Sequence, residues 1–434
     1  MRPVIALCDA NAFYCSCERV FDPTLIGRPL GVLSNNDGCI VARTPELKAL
    51  GVAMGTPAFR VRHLLEQGVI DLRSSNYALY GDMSSRFMSV LEQFSPKVEV
   101  YSIDEAFVDL AGFPADQLHG IGADMKQRVQ QWTGLPIGVG IANNKTLAKL
   151  ANYAAKNYPA TGGVVDLTDP VRQRRLMDIT PVREVWGVGS RIGKRLDHWG
   201  IRTAGELSKC KPAWIRKEFS VVLERTVCEL QGESCIPWEE EITGNKHQII
   251  CSRSFGQAVT TFDDLHAALV NFVDRACEKL RAQGKFSREA LIMIRTDPYR
   301  DAPQHNANLT LSIPEPTCDT RRWLQLLRPG LEKIYREGFL YRKAGFMLVD
   351  LCDGTGFQAD LWSEHVLPET PAMMTVMDAI NRRYGKQTLK PAAVGLNERP
   401  WHMARKMLTP QYTTRWSDIL KVNAKGQKYP STFH

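Results

Sequence analysis

Three acids stand where chemistry could be done. Asp9 follows the apolar run Val4 to Cys8, and the adjacent pair Asp104 and Glu105 sits between the β-branched and aromatic stretches Val98 to Ile103 and Ala106 to Leu110. Carboxylates at the ends of different strands of one sheet can converge on a hard divalent cation, and Mg²⁺ takes such oxygen ligands while keeping positions open for phosphate. Two such ions about 3.5–4 Å apart can clamp an in-line phosphoryl displacement, one lowering the pKa of the attacking hydroxyl and the other neutralising the leaving group. A single Asp more often merely caps a turn. Three acids flanked by strand-forming residues point to a metal site.

The elements that must position these acids are legible around them. Val4 to Cys8 reads as a buried strand that delivers Asp9 ahead of the aromatic pair Phe13 and Tyr14. Val98 to Leu110 reads as two strands around a tight turn with the acidic pair at its tip. Apolar residues at Tyr80, Met83, Phe87, Val90, Leu91 and Phe94 keep helical spacing until Ser95-Pro96. A second helix has Leu118, Ile121, Met125, Val129 and Trp132 on one face, and a strand Ile137 to Ile141 and a helix from about Lys145 to Lys156 follow. Thr44-Pro45-Glu46 reads as an N-cap and first turn closed by Gly51, in a small αβ insertion. Strands and helices mix without strict alternation, which predicts an α+β, multidomain chain.

Past Asp166 the chain turns to short, basic helices. Gly187-Val188-Gly189, the helical Ser190 to Trp199, Gly200 and the capping box Thr203 to Glu206 predict two helices joined by a glycine turn. The glycines do not follow a strand and lack G-x-G-x-x-G spacing, so a dinucleotide site is not indicated. With Arg191, Lys194 and Arg195 the pattern suits a helix-hairpin-helix gripping a phosphate backbone, an ordinary αα-hairpin being the plainer alternative. Pro237 to Asn245 reads as a linker into a further domain of about a hundred residues ending near Asp350.

Composition narrows the class. The 434 residues are 44% hydrophobic with 55 Lys plus Arg against 47 Asp plus Glu, which excludes disorder and fibrous repeats. No apolar run is long enough for a membrane span, and Asp9 interrupts the opening hydrophobic stretch before a secretory core could form. Eleven cysteines, with only Cys15 and Cys17 closely spaced, fit reduced thiols, so a cytoplasmic protein is expected. Residues 381–434 carry +9 of the net +8, leaving −1 for the other 380. Interleaved with Trp401, Tyr412, Trp416 and Tyr429, this basic segment suggests nucleic acid or an acidic partner, as well as a plain solvated tail.

Several motifs carry a resemblance. Leu7-Cys8-Asp9-Ala10-Asn11-Ala12-Phe13-Tyr14, Ser34-Asn35-Asn36-Asp37-Gly38, Tyr101-Ser102-Ile103-Asp104-Glu105-Ala106-Phe107 and Gly138-Val139-Gly140-Ile141-Ala142 are similar to motifs of Y-family translesion DNA polymerases. The likeness continues through Val221 to Thr226, Ser252 to Gly256 and Leu408 to Thr414, nearly end to end. It implies a right-hand polymerase: a palm (1–16 and 74–166), small fingers (17–73), a helix-hairpin-helix thumb (167–238), an α+β little finger (243–352) and a basic clamp- and partner-binding tail (353–434). The implied function is error-prone translesion synthesis from dNTPs on primed, damaged DNA within the SOS response. A nucleotidyl cyclase and a clamp-tethered DNA-binding scaffold without catalysis are the alternatives.

The resemblance also implies roles. Asp9, Asp104 and Glu105 would be catalytic and, with the Ala10 carbonyl, would hold two Mg²⁺ ions. Tyr14, beside Phe13, would be a steric gate under the deoxyribose, and Lys156 and Lys48 would contact the triphosphate. Gly187, Gly189, Arg191, Lys194 and Arg195 would hold DNA. Gln358-Ala359-Asp360-Leu361-Trp362 is similar to the pentapeptide that binds the β sliding clamp, with Gln358, Leu361 and Trp362 as anchors and a tryptophan where phenylalanine is usual. The tail would meet a RecA-type recombinase filament and a UmuD′-type homodimer, and the protein would associate with the nucleoid when active. Asn11 stands where several relatives have aspartate, and Pro45 where many have a triphosphate-binding tyrosine.

Overall fold

A computed structural model describes residues 3–238, 248–353, 371–395, 401 and 403–420. The chain forms two units, residues 1–243 with 406–434, and residues 244–405.

In the first unit the elements run β1 (Ile5–Ala10), α1 (Phe13–Phe21), β2 (Leu30–Leu33), β3 (Ile40–Arg43), α2 (Pro45–Ala49), α3 (Arg62–Glu66), β4 (Asp71–Ser74), α4 (Tyr77–Leu91), β5 (Val98–Val100) and β6 (Glu105–Asp109). They continue through α5 (Leu118–Thr133), β7 (Ile137–Ala142), α6 (Lys145–Asn157) and β8 (Val164–Asp166) to α7 (Pro170–Ile179), α8 (Ser190–His198), α9 (Ala204–Ser208), α10 (Pro212–Glu218) and α11 (Val221–Leu230). β1 lies at the centre of a five-stranded sheet of order β5-β6-β1-β7-β8, antiparallel to both its neighbours. Its side chains alternate between two cores, as a two-residue period requires. Ala6, Cys8 and Ala10 pack with α4 and α5, whereas Ile5 and Leu7 join Phe107 and the apolar face of α6. Asp9 therefore falls on the α6 side.

α6 can lie close on β7 because Gly140 has no side chain. A Cβ there would come within 2.2 Å of the Asn152 amide nitrogen and 2.4 Å of the Ala148 carbonyl oxygen. The small sheet β3-β2-β4 closes over Leu33, Ile40, Leu47, Val52, Val61, Ile70 and Leu72. The expected caps form: Thr44 accepts from the Leu47 amide, and Thr203 and Glu206 make a reciprocal capping box.

The second unit contains β9 (Gln248–Val259), α12 (Phe262–Ala282), β10 (Lys285–Thr296), β11 (Asn306–Thr317), α13 (Thr320–Ile334), β12 (Tyr341–Asp353) and α14 (Ala372–Tyr384). Its four-stranded antiparallel sheet has the order β11-β10-β12-β9, and α12 and α13 pack on it around Phe255, Phe272, Trp323 and Phe346.

Four expectations are corrected. The helix expected from Tyr80 to Phe94 is α4, which starts at Tyr77 under an Asn76 cap and ends at Leu91; Phe94 lies beyond it beneath Arg128. Trp132 is 58% exposed, and Thr133 takes the buried place at the end of α5. The boundary expected between residues 16 and 17 falls inside α1. The stretch 353–434, expected as one tail, is divided: Asp378 of α14 forms a two-pronged ion pair with Arg281 of α12 (2.6 and 2.8 Å), and Val394 and Trp401 join the second core. Residues 406–412 instead bond to the first unit. Buried aromatics and the bidentate Arg281 hold these segments, so their basic composition does not make them a free tail.

Candidate active site

The pairing of β1 with β6 sets Asp9 directly opposite Glu105, and the Ala10 amide donates to the Asp104 carbonyl at 2.9 Å. On the other side the Asn11 amide donates to the Pro136 carbonyl at 2.9 Å, so the end of β1 is tied to both neighbours. This is how residues nearly a hundred positions apart become one acidic patch at the ends of two strands.

α6 answers that patch with a ladder. Lys145, Lys149, Asn152 and Lys156 recur at the spacing of one helix face. Lys145, only 2% exposed, holds Glu99 at 2.6 Å; Lys149 holds Glu105 at 2.5 Å; Asn152 donates to the Leu7 and Gly138 carbonyls; and Lys156 pairs with Asp9. The Lys149 ammonium also lies 4.3 Å from the centre of the Tyr101 ring and 5.2 Å from that of Trp186. Of these four, only Lys156 was expected at the site. Alone a lysine reads as solvated surface, and the available signal was the i, i+4, i+7, i+11 spacing of polar residues in an otherwise Ala- and Leu-rich helix.

Burial pushes the Asp9 carboxyl up to about 6; the Lys156 ammonium opposes this, while Glu105 and Asp104 add to it. Three acids and a partly dehydrated site thus place a demand for positive charge on one spot. Asp104 accepts from the Ser102 hydroxyl at 2.6 Å. Among the described residues the one three-ligand cluster with donor atoms within 4.8 Å of one another is Cys228, Glu233 and Cys235, not the three acids. Two of those acids are turned to lysine ammonium groups and the third to a hydroxyl. The oxygen-only donor set, the ammonium ions lying on two of its carboxylates, and the buried Oδ1 of Asn11, which lacks a partner among the described residues, fit hard divalent cations.

Past the acids, Ala12 takes a left-handed turn (φ 45°) into α1. Phe13 is buried, and Tyr14 is half-buried with its ring stacked on Tyr80 (centroids 4.5 Å apart, 16° between planes) and edge-on to Tyr77. Tyr80 was expected only as a core residue. Lys48 is exposed in the last turn of α2, without an ion pair among the described residues. Gly187 (φ 87°) and Gly189 lead into α8, which leaves Arg191 and Lys194 exposed. Arg195 donates to the Glu218 carbonyl at 2.5 Å and stacks over Phe219. Gln358, Leu361 and Trp362 lie outside the described residues.

The architecture is that of the Y-family DNA polymerases. A solved Y-family DNA polymerase chimera of Dbh and Dpo4 superposes with a TM-score of 0.64 over 81% of this chain and 99% of that one, at 18% identity. The chain belongs to the impB/mucB/samB family, which residues 8–153 match, with the family's C-terminal domain matched by residues 246–361. Residues 371–422 match a domain of unknown function, DUF4113. The chain is 45% identical to UmuC of Salmonella typhimurium (strain LT2) over 96% of its length and all of that protein. It is 46% identical to MucB of Escherichia coli over 96% of its length and 99% of that protein. It is 31% identical to DNA polymerase IV 2 of Mesorhizobium japonicum over 70% of its length and 71% of that protein. A UmuC-type polymerase of this family works on DNA and dNTPs and depends on divalent metal. No helix among the described residues is long and apolar enough to cross a membrane.

Proposed function

We propose that the chain performs template-directed, error-prone translesion DNA synthesis in the SOS response, transferring a nucleotidyl group from a dNTP to a primer 3′-hydroxyl at Asp9, Asp104 and Glu105. The observation that carries this reading is the pairing of Asp9 against Glu105, with Asp104 tied to Ala10 beside them.

Asp9, Asp104, Glu105 and the Ala10 carbonyl would hold two Mg²⁺ ions, which when bound supply charge neutralisation at the α-phosphate and activation of the 3′-hydroxyl. The chain's own residues do the rest. Lys156 places a positive charge beside Asp9 at the edge facing a triphosphate, with Lys48 on α2 as a second cation. Tyr14, held flat by Tyr80 with Phe13 behind it, excludes a 2′-hydroxyl by bulk. Phosphoryl transfer needs mostly positioning and charge neutralisation, which the acids with the cations they would hold and the nearby lysines supply, so no histidine base is required.

In this reading the five-stranded sheet of β1 with α4, α5 and α6 acts as palm, the small sheet β3-β2-β4 as fingers, residues 167–238 as thumb, and 243–352 as little finger, with α14, Val394 and Trp401 held to it. Gly187, Gly189, Arg191, Lys194 and Arg195 would grip the DNA backbone, Arg195 giving up its Glu218 contact to do so. Gln358, Leu361 and Trp362 would bind the β sliding clamp, and a UmuD′-type homodimer and a RecA-type filament would complete the active form, in the cytoplasm and at the nucleoid.

The reading is tested by supplying Mg²⁺ and nucleoside triphosphates with and without a primed template, in the presence of those partners. A primer lengthened only when template and dNTPs are both present is the expected product. A cyclic nucleotide formed without DNA, or DNA binding with no product, would displace this reading.

A further inference from the structure

The first unit is completed by a segment just over four hundred residues from its start. The Lys406 amide donates to Asp37 Oδ2 at 2.8 Å, the Met407 amide to Ser74 Oγ at 3.0 Å, and the Ser74 amide back to the Met407 carbonyl at 2.9 Å. Asn76 Nδ2 lies 3.1 Å from the Thr409 carbonyl, the Thr409 hydroxyl and the Pro410 carbonyl. The Oδ1 of the same Asn76 caps α4 by accepting from the Leu79 amide. Tyr412 closes the segment by stacking flat on Phe21 of α1, 4.8 Å between ring centres.

One contact reaches toward Tyr14. The Thr409 hydroxyl donates to Glu18 Oε1 at 3.2 Å, and the Tyr80 hydroxyl donates to the same oxygen at 2.6 Å. Glu18 is 1% exposed and Tyr80 fully buried, so neither can exchange these partners for bulk water. Tyr80 is the ring on which Tyr14 stacks, and Glu18 stands one helical turn after Tyr14 on α1. The segment thus holds the support of Tyr14 at two places, the cap of α4 and the carboxylate that fixes the Tyr80 hydroxyl.

We propose that residues 406–412 form a strap that positions Tyr14 through Thr409, Glu18 and Tyr80, and so sets how strongly deoxyribonucleotides are preferred over ribonucleotides. This rests on Tyr14 acting as the sugar gate. Thr409 is a positioning residue: its polar partners are Glu18 and Asn76, and its effect is read through the ring that Tyr80 holds. An unstrapped Tyr80 lets the Tyr14 ring tilt, which admits a 2′-hydroxyl while leaving the carboxylates in place.

The test compares the full-length chain, with the partners named above, as wild type, Thr409→Val, Thr409→Ser and Tyr14→Ala, reading the ratio of kcat/KM for a dNTP to that for the matching rNTP. Thr409→Val is expected to lower the ratio about tenfold, the size of one lost hydrogen bond to a buried charged group, chiefly by raising the ribonucleotide arm. Thr409→Ser, which keeps the hydroxyl, is expected to hold the ratio near wild type, and Tyr14→Ala to collapse it. If Tyr14→Ala collapses the ratio and Thr409→Val leaves it unchanged, the strap proposal is wrong and the gate reading stands; equal loss on both nucleotide arms counts the same way. If Tyr14→Ala leaves the ratio intact, the gate reading itself fails and the strap proposal with it. Should Thr409→Val not fold, Tyr412→Leu loosens the strap's far end and is read by the same ratio.

Discussion

Asp9, Asp104 and Glu105 were legible because their type is at odds with their surroundings: acids bordered by strand-forming apolar residues need a reason to be there. Lys145 and Lys149 were not, because lysine is at home on any surface and only the three-dimensional ladder shows which acid each one faces. The pairing has a consequence for metal. The Lys149 ammonium at 2.5 Å compensates the charge of Glu105, so Lys149→Ala removes a competing cation from the acidic patch. The half-saturating Mg²⁺ concentration for nucleotide incorporation should fall about fivefold, since neighbouring charges of this kind are worth on the order of 1 kcal/mol near a surface. A metal titration of variant and wild type checks this, and a rise in the Mg²⁺ requirement would show that Lys149 acts by orienting Glu105 instead.

At the scale of elements, strands and caps were readable because each is governed by neighbours in sequence: the apolar run of β1, the Thr44-Pro45-Glu46 start of α2, the capping box of α9. The close crossing of α6 on β7 was not, since Gly140 reads as a weak strand residue until the Asn152 amide is placed 2.2 Å from its missing Cβ. Gly140→Ala must push the helix from the sheet or distort both, and should cost about 3 kcal/mol of stability. Gly189→Ala is the matched control. Gly189, the N-cap of α8, has an ordinary φ of −77° and no atom within 4 Å of the added methyl, so its cost should be only that of a poorer cap, about 1 kcal/mol. Thermal or denaturant unfolding of the two variants measures the difference, and equal destabilisation would contradict the crossing geometry.

For the molecule as a whole, the two families of contacts made by the C-terminal stretch could not be anticipated from composition. Basic residues interleaved with aromatics suit nucleic acid, yet Trp401 is 2% exposed in the second core and Tyr412 stacks on Phe21 in the first unit. Aromatic rings serve packing and recognition equally, and only long-range partners decide between them. The second unit also carries a cost that only tertiary burial creates. Asp274 on α12 is 5% exposed, its Oδ1 has no partner among the described residues, and burial raises its carboxyl to about 6 from the ordinary 3.8. Between about pH 4 and 6 the folded form holds a proton that the unfolded chain has released, so stability from this group declines as pH rises through that window and stays low above it. Asp274→Asn should remove that decline and stabilise the protein by about 2 kcal/mol at pH 7, with no gain near pH 4. Unfolding curves of wild type and variant at both pH values isolate the effect, and a variant less stable at pH 7 would mean that the carboxylate is held by interactions beyond those named.

If the facing carboxylates of β1 and β6 perform nucleotidyl transfer on damaged templates, extension of a primed abasic template depends on them. The full-length chain with Mg²⁺, dNTPs and its proposed partners is compared with Asp104→Ala, after equal binding of both to the primed DNA has been established. The prediction is extension past the abasic site by the wild type and a loss of at least about a thousandfold in the variant. Equal extension by the two proteins, or none by the wild type while it is folded and bound, would mean that these carboxylates do not carry the reaction.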